Sequence, residues 1–188
     1  MSKIAIIGAG AWGTALAMVA QRAGNEVILQ AHEKEVVNDI NNFHINERFL
    51  PRIKLDQSIK AISRIDECIE SDVILLAPPA QFFRSICETL AEDYPPKLPA
   101  IICSKGIEKG SCALMSEIFT EILPGRPISV LSGPSFAMEV ANNLPTAVTL
   151  ACDDEIVVAI GGSPGGRAHA RTGDRYQDMK EMGIKNPK

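Results

Sequence analysis

An apolar run that reads as a strand, Lys3 to Gly8, is followed by a stretch of helical period, Thr14 to Ala23. The joint between them is Gly8-Ala9-Gly10-Ala11-Trp12-Gly13. Each glycine in it has a separate physical reason. Gly8 permits the tight turn, Gly10 lacks a Cβ and so lets a diphosphate approach the main chain, and Gly13 lets the helix pack close to the strand. Free N–H groups and the positive end of the helix dipole then face an anion. The string alone is a weak signal. Its position between a strand and a helix makes dinucleotide binding the expectation, over a glycine-rich core turn.

The rest of the chain repeats the strand–helix alternation. Glu26 to Ala31, Asp72 to Ala77, Ala100 to Ser104, Ile128 to Leu131 and Thr146 to Ala151 read as strands. Lys34 to Asn41, Gln81 to Glu92 and Cys112 to Leu123 have helical spacing, and Asn42 to Leu55 is loop-like and broken by Pro51. Continuously apolar strands alternating with helices predict an α/β fold with a doubly wound, mostly parallel sheet of the Rossmann type, covered on both faces. Residues 1–155 are expected to form this dinucleotide-binding domain. Residues 156–188 differ in composition: Gly161 to Lys188 has six of the 14 glycines, and six basic against three acidic residues. Such a tail buries too little apolar surface to offset the entropy of ordering it, so it is expected to be disordered.

Charge and cysteine usage exclude several function classes. A formal net charge of −4 provides no electrostatic footprint for nucleic acid. The five cysteines form no C-x-x-C pair and are odd in number, which argues against a disulfide framework and against zinc. His32, His44 and His169 are scattered, so no metal is expected. Ile4 to Ala20 is uncharged and follows Lys3, like the apolar core of a signal peptide. The three glycines inside it suit the turn better than an inserted helix, and the run is short of the roughly 20 apolar residues a span needs. A cytoplasmic protein without membrane contact is the expectation.

Three further segments lie where such a sheet binds ligands, beyond the carboxyl ends of strands. The second strand ends without a carboxylate to hold the ribose 2′-hydroxyl of NAD. His32 follows it and could meet a 2′-phosphate, while Glu33 could serve NAD, so NAD and NADP both stay open. Ser104-Lys105-Gly106 follows AIICS, and its lysine is either a phosphate-holding cation or a solvated loop residue. Ser132-Gly133-Pro134-Ser135-Phe136-Ala137 offers hydroxyls and N–H groups at the start of another helix, as an anion site or a structural turn. Asn46 to Pro51 is a surface loop or a cover for a planar ring.

Taken in order, GAGAWGTALA (8–17), HEKE (32–35), NERFLP (46–51), SKGIE (104–108) and LSGPSFAMEVANNLPTAV (131–148) resemble the NAD(P)-dependent glycerol-3-phosphate dehydrogenase family. The resemblance covers Met1 to about Asp153. It implies a cofactor site of Gly8, Gly10, Ala11, Trp12, Gly13, His32, Phe49, Lys105 and Ala137, with NAD or NADP as cofactor. It implies that Lys105, Gly133 and Ser135 contact a small-molecule substrate, glycerol 3-phosphate or dihydroxyacetone phosphate, in an oxidoreductase whose product feeds phospholipid synthesis. A homodimer is among the assemblies left open. Family members continue into an all-helical domain that carries the catalytic lysine in a glycine-rich stretch ending Lys-Asn. Gly183-Ile184-Lys185-Asn186 lacks the matching flanks, so no catalytic residue is assigned and Lys185 is read as coincidence. The expectation is a truncated form with impaired turnover. The alternative is a non-catalytic NAD(P)-binding module or half-protein.

Overall fold

The computed structural model describes residues 1–152 and 170–172. In chain order the elements are β1 (Lys3–Ile7), α1 (Ala11–Arg22), β2 (Glu26–Gln30), α2 (Lys34–Asn38), β3 (Ile45–Asn46) and β4 (Leu50–Lys54). They continue with β5 (Lys60–Ile62), β6 (Val73–Leu76), α3 (Ala80–Ala91), β7 (Ala100–Ile102), α4 (Met115–Ile122), β8 (Ile128–Ser132), α5 (Ala137–Ala141), β9 (Thr149–Cys152) and β10 (Ala170–Thr172). The main sheet runs β10-β9-β8-β7-β6-β1-β2-β5, and β3 and β4 form a separate antiparallel pair. From β5 to β8 every neighbour is parallel.

The central strands read as unbroken apolar runs because both their faces are buried. Ile4 and Ile6 of β1 face one core, and Ala5 and Ile7 face the other. In β6, Val73 and Leu75 alternate with Ile74 and Leu76 in the same way. Helices α1 and α5 pack together on the first face, α3 and α4 on the second. This is the doubly wound α/β sheet that the alternation predicts.

Local differences from the sequence reading have local causes. Helix α1 starts at Ala11 rather than Thr14, because extended Gly10 (φ −65°, ψ 179°) is its N-cap. The helix predicted over 34–41 is α-helical only to Asn38, and Asp39–Phe43 widens into a π-turn that His44 closes with φ 57°. The segment 42–55 is a β-hairpin rather than a loop, with exposed Pro51 tolerated because the ladder has only two strands. Strand β5 has one buried residue, Ala61, too little pattern to read. Helix α4 starts at Met115 rather than Cys112, since Cys112 takes φ 57° and Glu117 caps the Leu114 N–H at 2.7 Å. Strand β9 returns antiparallel to β8. The tail expectation for 156–188 lies outside the described residues, apart from 170–172, whose backbone pairs parallel to β9 as β10. Among the described residues no helix is long and apolar enough to cross a membrane.

The strand order reverses between β1 and β6. Chain connections lead outward from β1 to β2 and β5 on one side, and from β6 to β7 and β8 on the other. A doubly wound sheet opens its ligand crevice outside the carboxyl ends of the strands at such a point.

Candidate functional site

At that point the turn after β1 meets the exit of β6. Gly8 has φ +103°, and a Cβ there would lie 2.9 Å from the main chain of Ala77 and Pro78. A Cβ on Gly13 would lie 1.9 Å from the Gly8 carbonyl oxygen. At Gly10 a Cβ would meet no protein atom within 4 Å. Two of the glycines are therefore required by packing. The third faces open space at the start of α1, where no side chain caps the helix and no acidic residue occupies the first turn. Bare amides and a positive helix end favour an anion there.

One side chain from outside the turn holds it in place. Asn46 is 1 % exposed, and its Nδ2 donates to the Ala9 carbonyl (2.9 Å) and to Thr14 Oγ1 (2.7 Å). Thr14 Oγ1 donates to the same carbonyl at 3.3 Å. The Asn46 Oδ1 accepts from Phe49 N–H at 3.3 Å. The sequence reading missed this role for Asn46. A polar residue in a loop-like segment gives no sign that it is buried against a turn 37 residues away.

The segments carrying Trp12, Lys105, Gly133 and Ser135 converge. The Lys105 ammonium lies 5.3 Å from the centre of the Trp12 ring. It donates to the carbonyls of Gly133 (3.2 Å) and Ser135 (3.4 Å). Gly133 is dictated by close approach, since a Cβ would lie 2.5 Å from the Ala147 carbonyl. Two polar atoms of this group are buried without a hydrogen-bond partner among the described residues, Trp12 Nε1 and Ser135 Oγ. A buried unpaired donor costs about 1–3 kcal/mol, so both are suited to a ligand that supplies acceptors.

On the β2 side, His32 is exposed, and the neighbouring Glu33 faces Arg48 at 3.9 Å. Arg48 also faces Glu35 at 3.9 Å and lies over the half-buried Phe49 ring at 5.2 Å. The structure thus brings the 32–35 and 46–51 segments together. Ala137, the first residue of α5, packs on the core beside α1.

Other groups are set apart from this chemistry. Burial pushes the Cys68 and Cys87 thiols up to about 12, and Cys103 also well upward, so these are packing residues rather than nucleophiles. Among the described residues no three His, Cys, Asp or Glu side chains are grouped to hold a metal. A cavity of about 590 Å³ lies between α1, β4 and α5, reaching Met18, Arg22 and Arg52. Met18 is about 10 Å along α1 from its N-terminus at 1.5 Å per residue, so this cavity is not the anion-facing hollow.

Residues 3–158 match the family model for the N-terminus of NAD-dependent glycerol-3-phosphate dehydrogenase. The chain is 51% identical over 152 residues to the glycerol-3-phosphate dehydrogenase [NAD(P)+] of Paramagnetospirillum magneticum, covering 81% of this chain and 55% of that protein. It is 54% identical over 153 residues to the protein of the same name from Caulobacter vibrioides, covering 81% and 46%. The crystal structure of glycerol-3-phosphate dehydrogenase from Coxiella burnetii superposes with a TM-score of 0.76 at 37% identity, covering 81% of this chain and 47% of that one. The chain thus spans about half the length of the curated relatives it matches.

Proposed function

Because this chain belongs to the NAD-dependent glycerol-3-phosphate dehydrogenase family, we propose that residues 1–155 form its nicotinamide-nucleotide half-site and the phosphate-facing part of its substrate site. The observation that carries this reading is the Lys105 ammonium, held over Trp12 and between the Gly133 and Ser135 carbonyls beside an uncapped helix N-terminus.

The residues present fit the nucleotide. The amides at Gly10, Ala11 and Trp12 would hold the diphosphate, with Gly8 and Gly13 keeping the turn tight. His32 and Phe49 would lie on the adenosine side, and Ala137 would border the cofactor. Lys105 would bring positive charge to the phosphate and carbonyl oxygen of dihydroxyacetone phosphate, with Gly133 and Ser135 beside it. A bound NADH or NADPH would supply the hydride exchanged with C2 of the substrate. Reduction of a ketone builds negative charge on its oxygen, which a positioned cation or proton donor must meet. Lys105 provides the cation. Among the described residues no separate general acid joins this group, so this chain alone is proposed to turn over slowly. Glycerol 3-phosphate feeding phospholipid synthesis and a cytoplasmic location belong to the same reading.

Titration calorimetry with NADH and NADPH, then with dihydroxyacetone phosphate added to the complex, tests it. The expected result is binding of reduced nucleotide, followed by a substrate response that Lys105→Met removes. Binding of nucleotide with no substrate response favours a non-catalytic module. A protein indifferent to both nucleotides at millimolar excess overturns the reading. Steady oxidation of NADH by this chain alone overturns the slow-turnover part.

A further inference from the structure

Lys105 sits on a long loop between β7 and α4. Its near end is fixed by the sheet: Cys103 N–H and Ser104 N–H both donate to the Leu76 carbonyl (2.7 and 3.0 Å), and Ser104 Oγ donates to the Pro78 carbonyl (2.6 Å). Its far end is fixed by side chains of α3. The Gln81 amide acts like a piece of main chain, its Nε2 donating to the Ile107 carbonyl and its Oε1 accepting from Lys109 N–H, both at 2.9 Å. One turn along the helix, Arg84 Nε and Nη2 donate to Glu108 Oε1 and Oε2 at 2.9 and 3.1 Å. The same guanidinium reaches Glu121 of α4 at 3.0 and 3.2 Å. The Glu108 side chain is only 16% exposed, and Ser111 Oγ donates to it at 2.5 Å.

Residues three apart on a helix share a face, so Gln81 and Arg84 grip three consecutive loop residues together. We propose that this pair positions Lys105: by fixing 107–109 to α3, it keeps the ammonium over Trp12 and between the two carbonyls. A lysine has a flexible four-carbon stem and large rotamer entropy. Its contacts here, two neutral carbonyls and one half-buried ring, are individually weak. They coincide because the Cα is held. The significance for binding rests on the reading of Lys105 given above. The clamp itself is testable without any nucleotide, because Trp12 is the only tryptophan in the chain and reports on the charge above it.

The experiment compares Trp12 emission in the unmodified chain, Lys105→Met, Gln81→Ala, Arg84→Met and Arg84→Lys, with far-UV circular dichroism and thermal melts alongside. Lys105→Met sets the spectrum of Trp12 without its cation. The expected result is that Gln81→Ala and Arg84→Met move the emission most of the way to that spectrum while keeping native helix content. Arg84→Lys, which keeps the charge but loses the fork, falls between. In the binding arm, the same variants weaken NADH by about tenfold. Glu108→Gln, of nearly unchanged volume, replaces Arg84→Met if that variant melts uncooperatively. Emission unchanged by the clamp variants overturns the proposal, as does a Lys105→Met spectrum identical to the parent. Emission that shifts as expected with no NADH binding by any form keeps the clamp and refutes the nucleotide reading instead.

Discussion

The two halves of the candidate site are built from different materials. The Gly8–Gly13 turn is main chain: its shape follows from three glycines, a strand and a helix that are contiguous in sequence. The Lys105 side is assembled from side chains and carbonyls on segments 28 and 30 residues apart, with Trp12 as the bridge. The main-chain side tolerates no added atom at Gly8 or Gly13, and among the described residues its one side-chain support from outside is Asn46. A side-chain site tolerates substitution in its fold but depends on distant anchors for its geometry. Substitutions should therefore separate stability from binding differently on the two sides.

The largest effect is expected at Gly13. An alanine there would gain about 1 kcal/mol of helix propensity. Its Cβ, however, would lie 1.9 Å from the Gly8 carbonyl, a main-chain atom that cannot yield locally. Gly13→Ala should lose at least the roughly 1–3 kcal/mol typical of overpacking, read as a lower urea midpoint, and should lose NADH binding with it. Asn46→Ala comes next. It strands the buried Ala9 carbonyl and Thr14 hydroxyl with fewer partners, at about 1–3 kcal/mol, and should loosen the turn enough to weaken NADH. If Asn46→Ala leaves both stability and NADH affinity unchanged, the turn needs no outside support and the contrast between the halves becomes sharper.

Gly10→Ala is the decisive variant for the main-chain half. Its φ and ψ suit alanine, and the new methyl meets no protein atom. Stability should fall by no more than about 1 kcal/mol, the difference between glycine and alanine at an N-cap. NADH affinity should fall at least tenfold, roughly 1.4 kcal/mol, because the methyl enters the space a diphosphate needs. A variant that binds NADH normally would show that the hollow above Gly10 is not where the nucleotide lies.

The sequence made these two halves legible to different degrees. The turn could be read because its determinants are local: the strand, the helix and all three glycine roles follow from one unbroken stretch, Lys3 to Ala23. The strands of β1, β6 and β7 were equally plain, since burial on both faces leaves a continuous apolar run. The participants on the other side could be named from their place after strands and from the family resemblance, but not their contacts. Nothing in SKGIE says that its lysine reaches Ser135, and nothing in Gln81 or Arg84 distinguishes them from ordinary exposed residues of an amphipathic helix. The hairpin β3–β4 and the edge strand β5 were invisible for the related reason that few of their residues are buried. Asn46 combines both difficulties, a polar residue in an unreadable hairpin whose partner is distant in sequence.

The smallest predicted effect tests the anchor of the side-chain half. Hydrogen bonds from Arg84, and secondarily from Ser111, hold the Glu108 carboxyl below its ordinary range. A carboxylate whose folded value is depressed contributes stability that is fully present above its unfolded value, about 4.3, and is lost as pH falls through the folded one. Asp56 and Asp66 are also depressed, by Ser58 and Arg64 respectively, so acid alone cannot isolate Glu108. The difference between the parent and Glu108→Gln can, because both keep the other carboxylates. The parent should melt higher at pH 7, and the gap should close as pH falls below about 4. The pair is partly solvated, so the gap at neutral pH should be a few degrees at most. Trp12 emission of the parent should move toward that of Glu108→Gln over the same interval, if the charge on Glu108 is what keeps the loop, and with it Lys105, in place. A melting gap that does not shrink at all as pH falls below about 4 would mean that Glu108 acts through packing and not through its charge, and the side-chain half would then differ less from the turn than its construction suggests.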